Sequence, residues 1–161
     1  MKPAEVSTPS DREVLVKRSF DAPVNLVWQA YTDPALMRRW LTAMPGWSMP
    51  MCEMAVHVGG NYRWRWRSED GHEFGFTGEM LEVALHSKIA HTQIFDAGNL
   101  GESMGSEPYI VTVTFNESNG ITNVTTTIKF ASQADRDAAM STGMTDGMEM
   151  NYKQLDGVLA A

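Results

Sequence analysis

His91 and Gln93 stand two apart in the run Lys88-Ile-Ala-His-Thr-Gln-Ile-Phe95, whose β-branched and aromatic content marks a strand. On a strand they share one face with Ile89 and Phe95. An imidazole that titrates near neutral pH and a two-way amide would then sit among apolar groups, an arrangement suited to orienting a ligand or moving a proton. Ala90, Thr92 and Ile94 make an equally good inner row, and periodicity does not choose between the two. Glu79 is the carboxylate that would complete an acid–base pair with His91; its other role is a surface ion pair with Arg63 or Arg65. Cys52, Glu53 and His57 are the one grouping of metal-ligating types. Five positions along a strand put Cys52 and His57 on opposite faces, so neither a metal nor any other cofactor is expected. Serine, histidine and aspartate occur, but nothing local links a nucleophile to a base, and no phosphate-cradling glycine loop precedes a helix.

Residues 58 to 67 read Val-Gly-Gly-Asn-Tyr-Arg-Trp-Arg-Trp-Arg. On a strand Tyr62, Trp64 and Trp66 fall on one face and Arg63, Arg65 and Arg67 on the other, whereas a helix would mix them. Glu69-Asp70-Gly71 supplies a turn into a second aromatic alternation, Phe74 and Phe76. Such a surface either fills a core or walls a pocket for an apolar ligand. Trp64 and Phe76 are the strongest wall candidates, and Met140, Met144 and Met148, four apart on a helix, would extend the wall with adaptable thioethers or else pack as ordinary core. Trp40 and Trp47 join the set, the latter capping a cavity mouth or, with Met49, marking a homodimer contact.

These side chains need a frame. Glu13 to Phe20 alternates as a strand; Pro23 opens a helix with Val24, Val27, Trp28 and Tyr31 on one stripe, and Asp33-Pro34 opens a second, shorter helix. Strands are expected at 49–57, 61–68, 72–84, 88–95, 108–116 and 121–131, with Asn119-Gly120 as a hairpin turn. Residues 96–107 read as a long surface loop and a candidate lid. Ser132-x-x-Asp135 starts a helix that breaks near Gly143 and resumes with Met148, Tyr152, Leu155 and Leu159 inward. Residues 1–12 read as a flexible polar arm and 13–161 as one domain.

The composition closes off several classes. Hydrophobic residues make up 43% and charged residues 20% of the 161, ordinary for a globule, and no apolar run approaches the roughly 18 residues of a membrane span. Neither a membrane nor a secretory leader is indicated, so the expected location is cytoplasmic. One cysteine rules out an internal disulfide. A net charge of -7 opposes phosphate backbones, so nucleic acid is not an expected partner.

The order of elements, together with Phe20-Asp-Ala-Pro-Val-Asn-Leu-Val-Trp28, Tyr31-Thr-Asp-Pro34 with Trp40, Val58-Gly-Gly60, Gly78-Glu-Met-Leu-Glu-Val83 and the C-terminal Gly147-Met-Glu-Met-Asn-Tyr-Lys-Gln-Leu155, resembles the START-like, or Bet v 1-like (SRPBCC), superfamily, and within it the Hsp90 ATPase activator homologue (AHSA1-like) branch. The resemblance implies an α+β helix-grip fold: a curved antiparallel sheet of about seven strands around a long C-terminal helix, with two short helices after the first strand. Relatives commonly carry an arginine two places before the glycine pair, where this chain has His57. The motifs specify shape rather than chemistry. The leading expectation is a carrier or sensor that holds a small hydrophobic molecule between sheet and C-terminal helix. The alternatives are a cyclase- or hydrolase-like enzyme using His91 and Glu79 in that cavity, and a chaperone-binding protein, as the family name suggests.

Overall fold

The structure is a computed structural model that describes residues 1–96 and 107–160. Eight strands and four helices follow one another: β1 (Glu5–Ser7), β2 (Glu13–Phe20), α1 (Val24–Thr32), α2 (Pro34–Trp40), β3 (Trp47–Met54), β4 (Asn61–Ser68), β5 (Glu73–Ala84), β6 (Lys88–Asp96), β7 (Tyr109–Ser118), β8 (Ile121–Lys129), α3 (Gln133–Ser141) and α4 (Met144–Ala160). The strands form one antiparallel sheet in the order β1-β2-β8-β7-β6-β5-β4-β3. Its ends do not join, and the helices cover one face: this is the α+β helix grip.

Local chemistry sets the element boundaries. The Asp33 carboxylate accepts from the Ala35 amide at 2.9 Å and Pro34 occupies the first turn, fixing the start of α2. Ser132 caps α3 through the Asp135 amide at 3.1 Å. Asn119 and Gly120 both take positive φ, 54° and 78°, as a tight hairpin between right-twisted strands requires. Gly143, at φ 81°, separates α3 from α4, where the break was expected.

Within the polar arm Glu5–Ser7 pairs with Leu15–Lys17 and adds an eighth strand at the sheet edge. Two expectations are corrected. Strand β3 starts two residues earlier than expected and ends at Met54, because Gly59 and Gly60 lie in the turn that follows. Met49 is not a surface residue; it is 6% exposed and packs with Met37, Cys52 and Trp66. The candidate lid at 96–107 lies, beyond its end residues, outside the described residues.

The core is laid down by alternation. Val14, Val16 and Phe20 of β2, Val111, Val113 and Phe115 of β7, and Val124 and Ile128 of β8 form its floor, with Val27 and Trp28 of α1 and Tyr152 and Leu155 of α4 above. Helix α4 rests on α2, α3, α1 and β2. Its docking is polar as well as apolar. Arg18 is 3% exposed, and its guanidinium meets Glu149 at 3.2 Å and Asp156 at 2.8 Å, two carboxylates two helical turns apart. The same cation lies 5.1 Å from the Phe20 ring centre and 5.9 Å from that of Tyr152. Glu149 also accepts from the Ala4 amide at 2.9 Å, so arm, sheet and helix meet at one charge cluster.

Candidate ligand site on the inner face

Register decides which side chains share the inner face. Trp64 lies opposite Phe76 on β5, Phe76 opposite Phe95 on β6, and Met80 opposite His91. The inner row of β6 is therefore Ile89, His91, Gln93 and Phe95, and the face carries Tyr62, Trp64, Trp66, Phe74 and Phe76 beside them. Ring contacts run continuously across it: Trp47 to Phe74 at 5.3 Å, Phe74 stacked on Trp66 at 5.2 Å, Phe76 to Phe95 at 5.5 Å, Trp64 to Tyr62 at 4.6 Å and Tyr62 to His91 at 4.7 Å. The arginines of β4 face the other way, where Arg65 reaches Asp96 at 2.7 Å and Arg67 reaches Glu73 at 3.1 Å.

A strip of polar groups crosses this apolar floor. The Tyr62 hydroxyl lies 2.8 Å from the Thr92 carbonyl and 3.2 Å from Gln93 Oε1, and Gln93 Nε2 donates to the Tyr109 hydroxyl at 2.7 Å. His91 Nδ1 is 2.9 Å from the same Thr92 carbonyl, which only accepts, so Nδ1 holds the proton and Nε2 is left as an acceptor. Burial pushes the His91 imidazole below its ordinary value and the Tyr62 and Tyr109 phenols above theirs, so the strip is uncharged at neutral pH. Gly78 makes the crossing possible. A Cβ there would come within 2.0 Å of the Thr92 carbonyl and 2.5 Å of the Tyr62 ring, so only glycine lets that ring lie across β5 and reach β6.

Several candidates prove to be fixed core. Trp40 is 4% exposed and donates its indole N–H to the Ala30 carbonyl at 2.8 Å; Trp66 donates to the Leu41 carbonyl at 2.9 Å; Tyr62 is 1% exposed. The half-buried remainder is Trp47, Trp64, Phe74, Phe76, Gln93 and Phe95 on the sheet, with Met140, Met144 and Met148 on the helices. Trp64, Phe76 and the three methionines pack against one and the same core. Trp64 differs from Trp40 and Trp66: its Nε1 is buried and has no hydrogen-bond partner. The Tyr31 hydroxyl on α1 is in the same condition.

The acid–base pair does not assemble. Glu79 is exposed, one residue out of phase with inward-facing Met80, and the sheet lies between it and His91. Among the described residues no group of three metal-ligating side chains forms. Gly101-Glu-Ser-Met-Gly105 has the spelling of a nucleophile elbow and lies outside the described residues. Two surface clefts, of about 450 Å³ beside Trp28, Thr32, Val56, Val83 and Leu85 and about 420 Å³ beside Arg39, Lys153, Gln154, Gly157 and Val158, contain none of the expected ligand-binding residues. Tyr109 and Arg18 were not singled out as functional. Tyr109 was findable, since Tyr109, Val111, Val113 and Phe115 alternate onto the inner face.

Residues 21–160 match the family described as activator of Hsp90 ATPase homolog 1-like protein, and the chain belongs to that family. Its fold is similar to that of a crystallised Rhodobacter sphaeroides protein, with a TM-score of 0.89, 28% identity and 99% of each chain covered. A Mycobacterium smegmatis protein gives a TM-score of 0.85 at 21% identity, covering 98% of this chain and 97% of that one. An AHSA1-like protein from Aeromonas hydrophila gives 0.71 at 21% identity, covering 91% and 93%. No curated protein matches the sequence. No helix among the described residues is long and apolar enough to cross a membrane.

Proposed function

We propose that this protein binds a small apolar molecule between the inner face of β4–β6 and the α3–α4 segment. The carrying observation is Trp64: a half-buried indole on an aromatic floor, with a buried N–H that the protein itself leaves unmet. Such a donor is costly to bury unless something pairs with it, and the half-buried Phe76 and methionines around the same core, with Phe95 beside Phe76, supply adaptable apolar area. Helix α4 supports the reading by its placement, since it rests on β2 and the other helices. A bicyclic aromatic that buries about 200 Å² gains about 5 kcal/mol at ~25 cal/mol per Å² before ordering costs.

Native mass spectrometry of gently purified protein, followed by titration of a broad panel of aromatic and lipid-like compounds, tests this. The expected result is saturable quenching of tryptophan fluorescence, with a rise in melting temperature for the compounds that quench. A panel that moves neither signal overturns the proposal. The family's description names activation of a chaperone ATPase, and stimulation of ATP hydrolysis by a co-purifying Hsp90-type chaperone would favour that role instead. Enzymatic acid–base work by His91 and Glu79 lacks the geometry.

A further inference from the structure

We propose that the molecule held against this face is uncharged and presents a hydrogen-bond acceptor to the Trp64 indole N–H; the inference rests on the ligand-binding reading above. Four indoles share the aromatic floor or its margin: Trp40 donates to the Ala30 carbonyl, Trp66 donates to the Leu41 carbonyl, and Trp47 lies against Phe74. Among the described residues Trp64 Nε1 is the one buried indole nitrogen without a hydrogen-bond partner. Tyr62, Gln93 and Tyr109 bond one another and His91 Nδ1 is committed to the Thr92 carbonyl, while His91 Nε2, the acceptor left over on the neighbouring ring, makes no hydrogen bond to Trp64 Nε1. The donor therefore selects for a ligand oxygen or ring nitrogen, since an apolar molecule at this position would leave it unmet.

Charge narrows the class further. Arg18 is the one arginine, lysine, aspartate or glutamate among the buried residues described, and its guanidinium is taken by Glu149 and Asp156. The arginines of β4 lie on the opposite face of the sheet. A carboxylate or phosphate head group on the inner face would lose its hydration without gaining a cation. A ketone, quinone, ether or aza-aromatic meets the unpaired indole without that loss.

Three naphthalenes of matched shape test the inference: 2-ethylnaphthalene, 2-acetonaphthone and 2-naphthoate, titrated calorimetrically into the full chain and into Trp64→Phe at pH 7.5. The ketone is expected to bind the natural protein about fivefold more tightly than the ethyl compound, as one added neutral hydrogen bond implies. The ratio should fall to about one in Trp64→Phe, and the carboxylate should bind most weakly. A fivefold ratio that survives Trp64→Phe, or a carboxylate that binds as well as the ketone, overturns the inference. So does equal binding of ketone and ethyl compound, which still leaves the ligand-binding reading standing; binding of none of the three, with failure of the broad panel, removes both. If Trp64→Phe misfolds, the indole N–H resonances of ¹⁵N-labelled natural protein decide: one should shift downfield with the ketone and not with the ethyl compound, and the absence of such a shift refutes the assignment.

Discussion

At the level of single residues, the inner face shows how one glycine fixes the position of a histidine. Gly78 lets the Tyr62 ring cross β5, the Tyr62 hydroxyl takes the Thr92 carbonyl, and the same carbonyl holds His91 Nδ1. The ladder between β5 and β6 is irregular between Met80 and Glu82, close to this crossing. His91 is then buried uncharged, and this makes stability depend on pH. Burial depresses the folded imidazole below the unfolded value of about 6.5. Between those two values the unfolded chain binds a proton that the folded chain does not, so stability falls as pH drops below about 6.5 and levels off beneath the folded value. Thermal melts from pH 8 to 5 should show this loss in the natural protein and much less of it in His91→Gln. Equal slopes in the two would show that His91 is not the group responsible. Which row of β6 faces inward was not legible in the sequence, because both rows are half apolar. The choice is made by pairing with Phe76 and Met80 across the sheet, a tertiary relation that periodicity within one strand does not contain.

Among the elements, α4 is the part whose attachment was least visible in advance. Its apolar stripe, with Tyr152 and Leu155 inward, follows from helical spacing, and the break at Gly143 follows from the weak helix formers Ser141-Thr142-Gly143. The Arg18 cluster does not follow. Arg18 alternates in phase with Val14 and Val16, yet its partners Glu149 and Asp156 lie more than a hundred positions away and look, in sequence, like an ordinary solvated helix face. Truncating the buried cation leaves two carboxylates facing apolar β2, although their own partial exposure reduces the penalty. Arg18→Leu is expected to cost about 2 kcal/mol in denaturant unfolding, below the range for fully buried pairs. Hydrogen exchange should localise the effect, with α4 amides losing protection before those of β7 and β8. Uniform loss across the sheet would mean that Arg18 supports the core generally rather than securing the helix.

For the molecule as a whole, an open sheet has two edges, and the chain treats them differently. At one edge β3 carries Pro50, which offers no backbone N–H to a neighbouring strand, and its register is broken between Ser48 and Met51. At the other, the eight residues of β2 would present a long, regular edge if β1 were absent. Three residues of the arm cover it, Glu5, Val6 and Ser7 opposite Lys17, Val16 and Leu15, and the Ala4 amide ties the arm to Glu149 on α4. A short polar arm carries no strand signature of its own, and what makes it a strand is the partner it meets in the fold. Its physical effect is to replace an exposed ladder by a short, charged one. Removal of residues 1–8 should leave the core folded, because Val14, Val16 and Phe20 remain in place, but should expose the β2 backbone to pairing with a second copy. Sedimentation velocity across a concentration series is expected to show self-association in the truncated protein beyond that of the full chain. A Lys17→Pro change in the truncated background, which removes one backbone donor from the bared edge, should reverse it. A truncated protein that sediments like the full chain at every concentration would show that β1 protects no edge and serves only to complete the Glu149 contact.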